Sequence, residues 1–542
     1  MEHPTDIFKK IKNFTDRYGF PIFSLGFLLL GFKLLPDYGL GFDSPKNFEE
    51  GLINLNYLLT GHAALKDQFS LAFQIHGAFF FMISEIFTRI FCNGLGWLDP
   101  LSARHAIAPV LIFIFTNIYY SFLRKRTGAT TAFLACTILL TFPVFFGNTF
   151  INIKDVPLFV CFSLAVLSFY EWRDSGFQRS RYLYGFFLAL GLALLSKLYA
   201  VMLFAVLALW LATLQWQSRS KKGATSSETP NLKQLWSRRN IYHSLAGCTM
   251  VLVLIALFFM PAVYSVEDKI IFFRIKGRVV DKLVTYGNQG WSLYPWIQVL
   301  FVTPVLTLVM ATFGMMETLL EKSRTAFSLL MLSWFFLVMF TACTPLFPVY
   351  HGIRLFMVVL IPLCFFTAVG IMGAAELVGK IVPIKKTWGI WFLGALLIAF
   401  QIAGIVQTHP YETTFFNGLA GGLRGAQKKR IPDSGDYWLT GYCEAMRWLN
   451  KNVPSGADLL VPSNDDLRLI RYYPLRNDLY LNRITQTPLP RNSFLILEPG
   501  ETCWVNVPKI LRKKIEAEVS SMKKVHEIRR QGGEILTIYY KA

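Results

Sequence analysis

Apolar runs long enough to cross about 30 Å of hydrocarbon recur at 19–36, 102–123, 129–147, 156–170, 182–198, 199–216, 243–264, 291–317, 325–342, 352–377 and 387–406. The pattern predicts eleven transmembrane helices. A further apolar stretch, 69–91, carries His76, Glu85 and Arg89; counting it as a span would invert every later loop, and the positive-inside rule argues against that. Laid along the outer interface as a juxtamembrane helix, it leaves the N-terminal tail (Lys9, Lys10, Lys12, Arg17), Arg124 to Arg126, the 171–181 and 217–240 loops, Lys322, Arg324, Lys380, Lys385 and Lys386 in the cytoplasm. The outer segments are then 37–101, 148–155, 265–290, 343–351 and everything after 407. One of them breaks the rule: 265–290 holds Lys269, Arg274, Lys276, Arg278 and Lys282, so either that loop attracts phosphate or the topology is wrong nearby.

After Gln407 the long apolar runs stop and charge rises. "GADLLVPS" and "GEILTIYY" have the alternation and β-branched content of strands, and "YCEAMRWLNKN" the periodicity of a helix. The expected organisation is a membrane domain over 1–406 and a small extracytoplasmic α/β domain over 407–542.

Composition agrees: 54% of the 542 residues are hydrophobic, 15% aromatic and only 16% charged, which makes the bilayer the natural solvent. The net charge of +20 would raise nucleic acid as a partner in a soluble protein, but the basic residues fall in short clusters between apolar runs and read as topology signals. The eight cysteines show no CxxC or Cys/His ligand spacing, so no zinc site of the finger type is expected. The N-terminus has no convincing cleavage site, and the first span is expected to be retained.

Chemistry-bearing residues gather on the outer face. The segment "PDYGLGFDSPKNFEEG" sets Asp37, Asp43, Glu49 and Glu50 just beyond the first span. It is either a solvated acidic loop or the source of a general base, since a carboxyl in a partly dehydrated pocket can take a proton from a hydroxyl. Lys154 and Asp155, in "FINIKDVPLF", stand at the mouth of another span, where Asp155 is either a helix cap or a site residue. Lys197, in "LLSKLYAVML", and Arg354, in "HGIRLFMVVLIPL", are cations at interface depth. Single cations there commonly snorkel as anchors; together with His351 they also suit a lipid-linked phosphate, whose charge must be neutralised near the headgroups. His76 in "FQIHGAFFFM" would sit at the interface as well. Tyr411, Phe415, Phe416, Tyr437 and Trp438 read as a membrane-surface belt, with sugar stacking as the alternative. Asp43 with Asp155 could bracket a divalent cation.

In this order and on this shared face, the motifs resemble the GT-C superfamily over about 30–420, in particular family 39 glycosyltransferases, which include protein O-mannosyltransferases and lipid A aminoarabinose transferases. "GFDSPKNFEEG" is similar to the family's acidic first-loop motif, with Asp43 at the Asp and Ser44 in place of the usual Glu. "HGAFFFM" is similar to its His-Pro-Pro-like start of a juxtamembrane helix, with Gly77 and Ala78 replacing the prolines. "FINIKDVPLF" resembles its second acidic motif, implying that Asp155 positions donor or acceptor. "LLSKLYAVML" and "HGIRLFMVVLIPL" resemble helix-entry motifs that hold Lys197 and Arg354 near the carrier phosphate.

The resemblance implies a GT-C fold and an inverting transfer of sugar from a polyprenyl-phosphate donor to a glycan, lipid or protein acceptor at the periplasmic face of a bacterial inner membrane. Asp43 and Asp155 are then catalytic; Glu50, His76, Lys154, Lys197, His351 and Arg354 bind substrate; no metal ligand is assigned, although a divalent cation is compatible. No glycine-rich nucleotide fingerprint follows a strand. A transporter or flippase would place ionisable residues mid-span and show repeated halves, and neither is present. Eleven spans are excessive for the anchor of a binding protein.

Overall fold

The computed structural model describes residues 4–61, 77–220, 232–259, 290–321, 325–345, 347, 349–382, 385–500, 502–504 and 507–542, with no side-chain description for 4–13, 220 and 232–233. His76, the first part of the 69–91 stretch and the basic residues of 265–289 lie outside the described residues.

The expected spans are present as helices, but not all as straight ones. Among the described residues eight helices are long and apolar enough to cross a membrane: Phe14–Asp37, Pro100–Thr127, Asp155–Asp174, Leu198–Arg219, Arg238–Phe258, Ala326–Cys343, Arg354–Ile381 and Lys386–Thr408. Two further expected spans are broken pairs, Ala129–Leu140 with Pro143–Ile151, bent by 62°, and Tyr294–Val302 with Val305–Leu320, bent by 116°. Pro143 and Pro304 stand at the breaks. A proline removes an intrahelical N–H and drives the preceding residue out of the helical region. The 291–317 run is therefore not one straight span. Ser180–Leu194, at 15 residues, rises about 22 Å at 1.5 Å per residue, short of the hydrocarbon thickness.

The Pro143–Ile151 arm turns inward and is buried along its whole length, together with Asn152 to Asp155. The expected short outer loop at 148–155 is thus a covered element, packed against Glu412 and Thr413 of the segment that follows the last span.

The C-terminal segments form strands and a helix where the sequence places them: β1 (Asp458–Val461), β2 (Tyr480–Arg483), β3 (Ser493–Leu497), β4 (Lys523–Arg530) and β5 (Gly533–Lys541), with the Tyr442–Asn452 helix alongside. The sheet order is β2-β1-β3-β5-β4. β1 pairs in parallel with β2 and β3, and β5 runs antiparallel to β3 and β4. In register, Leu459 faces Leu481 on one side and Phe494 on the other, while Leu495 faces Tyr539.

One contiguous apolar core runs from the first helix into β5, crossing Gln407 without a gap. The loop after the first helix is fastened to the C-terminal part by Tyr38 Oη donating to Glu412 (3.0 Å), Leu40 N donating to Tyr473 Oη (2.6 Å) and Phe42 N donating to Trp438 O (2.7 Å). Gly39 makes the approach possible, because a Cβ there would lie 2.3 Å from the Thr440 carbonyl oxygen.

His409 closes the same seam, with Nδ1 2.7 Å from Glu412 and Nε2 3.2 Å from Asp37. The Glu412 hydrogen bond outweighs partial burial and raises the imidazole above its ordinary value. A His raised in the folded state stabilises most fully below its unfolded pKa, about 6.5, and that contribution is lost as pH rises through the folded value. Melting temperatures of the purified protein between pH 5.5 and 8.5 are expected to fall toward alkaline pH, and His409→Asn to flatten the slope; an unchanged slope would place the pH dependence elsewhere.

Candidate functional site

Five charged side chains predicted from four separate motifs meet at the loop that follows the first helix. Asp43 precedes the Ser44–Thr60 helix. Lys154 and Asp155 enter the Asp155–Asp174 helix, Lys197 ends the turn after Ser180–Leu194, and Arg354 opens the helical stretch to Ile381. Lys154 Nζ lies 2.5 Å from Asp43 Oδ2, and Arg354 Nη1 lies 3.6 Å from the same oxygen. Lys197 pairs with Asp155 Oδ1. Asp155 Oδ2 accepts from Asn152 Nδ2 (3.0 Å), and Asn152 Oδ1 accepts from the Asp155 N–H (2.8 Å). Asn148 extends the chain by accepting from Asn152 Nδ2 at 3.0 Å.

Burial grades these groups. Asp155 is 1% exposed and Lys197 3%, whereas the Asp43 side chain keeps 24% of its surface open. Asp155 is thus an internal counter-ion that holds Lys197, and Asp43 faces the outside. Ser196 Oγ donating to the Lys154 carbonyl (2.8 Å) ties the two cation-bearing turns together.

Arg354 is 5% exposed, and its Nε and Nη1 groups have no hydrogen-bond partner among the described residues. Its guanidinium lies over Trp438 (4.5 Å) and near Tyr350 (5.2 Å). Nη2 is 2.9 Å from His351 Nδ1. Burial, with the Arg354 cation beside it, lowers the His351 imidazole to about 3, so the ring is neutral and accepts from Arg354. His351 (φ 55°) and Gly352 (φ 71°) are consecutive left-handed residues, a backbone that a β-carbon resists. They turn the chain so that His351 lies beside Arg354 and stacks on Tyr437, with ring centroids 5.6 Å apart and planes at 11°.

One expectation changes. Tyr411, Phe415, Phe416, Tyr437 and Trp438 do not form a membrane-surface belt; all are buried. The C-terminal segment folds back over the helix ends, so these rings fill the space between them. Of these rings Trp438 lies over the Arg354 guanidinium and Tyr437 stacks on His351, a placement that the sequence pattern of "DYWLTGY" does not give. Asp43 and Asp155, the pair that could bracket a divalent cation, are each paired with an ammonium group. Among the described residues no three His, Cys, Asp or Glu groups are placed to hold a metal.

Glu50 is buried on the Ser44–Thr60 helix, two turns beyond Asp43. Gly77, where the family motif has proline, abuts the turn before Lys197: a Cβ there would stand 1.9 Å from the Leu195 carbonyl oxygen. Close backbone packing therefore demands glycine at this position.

Fold and site together define a multi-pass helical membrane protein with a buried, cation-rich centre under a C-terminal sheet region. Residues 74–226, which include Lys154, Asp155 and Lys197, match the family model described as dolichyl-phosphate-mannose-protein mannosyltransferase, so the chain resembles family 39 of the GT-C glycosyltransferases. Similar solved structures include ArnT from Cupriavidus metallidurans bound to undecaprenyl phosphate, at 12% identity and a TM-score of 0.47, covering 96% of this chain and 98% of that one. AglB from Archaeoglobus fulgidus, an archaeal oligosaccharyltransferase in complex with an inhibitory peptide and a dolichol-phosphate, gives 12% identity and 0.43, covering 86% and 62%. The mycobacterial arabinofuranosyltransferase AftD gives 12% and 0.42, covering 97% and 40%. No curated protein matches the sequence.

Proposed function

We propose that the protein is a membrane glycosyltransferase that takes sugar from a polyprenyl-phosphate carrier at the periplasmic face of a bacterial inner membrane. The observation that carries this reading is Arg354: a buried guanidinium with two unfilled N–H donors, beside Lys154 and within a centre also holding Lys197. A phosphate oxygen would fill those donors with charge-assisted hydrogen bonds. The match over residues 74–226 to a family described as using a dolichyl-phosphate sugar supports the same carrier class.

In this mechanism Lys154, Lys197 and Arg354 bind the carrier phosphate, and Asp155 positions Lys197. Phosphate draws Lys154 and Arg354 toward itself and releases the Asp43 carboxylate. Asp43 then takes the proton of an acceptor hydroxyl, the hydroxyl oxygen bonds to the anomeric carbon, and the bond from that carbon to the phosphate oxygen breaks. Polyprenyl phosphate leaves with its charge held by the three cations. A single displacement of this kind inverts the anomeric centre. Glu50 and His76 are assigned to the substrate side, and the chain after Gln407 forms a cover domain over the centre.

The orientation is supported by distance. Arg126 pairs with Glu171 (3.0 Å) and Asp174 (3.6 Å) at the far end of the helix that begins at Asp155. Twenty helical residues put that basic end about 30 Å from the site, as the positive-inside rule requires of a cytoplasmic end.

Two measurements test the reading. Membranes containing the protein are expected to transfer radiolabel from at least one of a panel of polyprenyl-phosphate sugars; transfer from nucleotide sugars alone would sink the carrier assignment. Arg354→Gln is expected to weaken binding of undecaprenyl phosphate about 10- to 100-fold, the value of a charged hydrogen bond or two, and unchanged affinity would remove Arg354 from the phosphate site.

A further inference from the structure

A cavity of about 540 Å³ lies in the C-terminal part, between the 427–439 segment and residues 498–500 and 502–503. That size is within the roughly 300–1,000 Å³ of small-molecule sites. Among its lining residues are Arg430, Asp433, Ser434, Asp436, Tyr437 and Glu498.

Glu498 is the telling group. It is 3% exposed, and neither carboxyl oxygen has a well-aligned hydrogen-bond partner among the described residues, the backbone N–H of Gly441 being the donor nearby. The nearby Gly441 N–H is committed to Asp436 (2.9 Å), which also accepts from Thr440 Oγ1 (2.7 Å) and Trp438 N (3.2 Å). Asp436 therefore closes its own turn, and Glu498 is left with unused hydrogen-bonding capacity. A buried polar group without a partner is costly and rare.

The chemistry of the lining narrows the ligand. Burial pushes the Glu498 carboxyl well above its usual range, and a neutral carboxyl both donates and accepts, as a hydroxyl does. Asp433, Asp436, Glu498 and Glu534 outnumber Arg430, which disfavours a phosphate. Tyr437 supplies an aromatic ring. The cavity is also wired to the cationic centre: Tyr437 stacks on His351, and Asp433 accepts from the Gly352 N–H (3.0 Å) and pairs with Tyr294 Oη. These contacts join two of its lining residues to the loop that precedes Arg354.

We infer that this cavity is a sugar-binding subsite, which takes a neutral hydroxyl-bearing ring of the acceptor and hydrogen-bonds it through Glu498. Assigning that ring to the acceptor rests on the glycosyltransferase reading above; the sugar site itself does not. The division of labour follows from charge. Cations at membrane depth hold the carrier phosphate, and the acid-rich cavity takes the uncharged glycan.

The test is saturation-transfer NMR on the full chain in lipid nanodiscs, with methyl glycosides of glucose, galactose, mannose and N-acetylglucosamine as probes and inorganic phosphate as control. At least one glycoside is expected to bind saturably, while phosphate leaves its signal unchanged. Glu498→Ala is expected to weaken that glycoside at least tenfold, and Glu498→Gln, which keeps a donor and an acceptor, to hold it within about threefold. Ser434→Phe puts a bulky ring into the cavity lining while leaving Glu498 in the sequence, and is expected to abolish binding. Undecaprenyl phosphate binding by the same preparations reads the cationic centre separately. Glycoside binding without lipid-phosphate binding would support the subsite while sinking the carrier reading. Lipid-phosphate binding with no glycoside bound, or glycoside binding untouched by both Glu498→Ala and Ser434→Phe, would overturn the subsite.

Discussion

Replacing Lys197 with methionine is expected to cost about 3–5 kcal/mol of stability, because it strands the Asp155 carboxylate in the interior without its cation. Asp155→Asn should be destabilising for the reciprocal reason, leaving a buried ammonium group. The double variant, Asp155→Asn with Lys197→Met, removes both charges and is expected to recover most of the loss, since a buried ion pair gives little net stability once its desolvation is counted. Unfolding in detergent, followed by tryptophan fluorescence, measures all three. Single variants within 1 kcal/mol of wild type would mean that water reaches the pair. A stable double variant that fails to transfer sugar would separate the balancing of Asp155 from the phosphate-binding role proposed for Lys197.

Asp43→Asn is expected to lower the transfer rate by about 10²–10⁴, the usual contribution of a positioned general base. Affinity for polyprenyl phosphate should hold or rise, because Lys154 and Arg354 then face one anion fewer. Single-turnover transfer from saturating lipid-linked sugar isolates this step. A variant that transfers at the wild-type rate would move the base to Glu50, the buried carboxylate of that helix, or to Asp155. A loss of lipid affinity with the rate intact would make Asp43 an organiser of the cations.

The two variants act at different depths. Asp155 and Lys197 sit inside, where removing one charge is a stability event; Asp43 keeps a quarter of its side chain exposed, so its removal is expected to act on chemistry. The site's charge is nearly self-neutralised by Asp43 and Asp155 before any substrate arrives. That arrangement lets three cations share a buried pocket that would otherwise repel itself.

Much of this was legible in the chain. Long apolar runs bounded by basic clusters have few physical solutions other than membrane helices, so span positions follow from hydropathy. "YCEAMRWLNKN" and "GEILTIYY" carry the helical and extended periodicities that they adopt. Asp43, Lys154, Lys197 and Arg354 could be singled out because charge at the end of an apolar run is expensive and so informative. What the sequence could not give was pairing, because nothing local relates residue 43 to 154, or 155 to 197. Only the packing of the helix ends decides that Lys154 serves Asp43 while its neighbour Asp155 serves Lys197. The breaks at Pro143 and Pro304 could be suspected from the prolines, but their angles depend on what each arm packs against. Tyr437 and Trp438 read as interface aromatics because amphipathic rings favour that boundary. Tertiary structure placed them over Arg354 and His351 instead, by folding the chain after Gln407 back onto the helix ends, where their buried area and ring faces meet a cation.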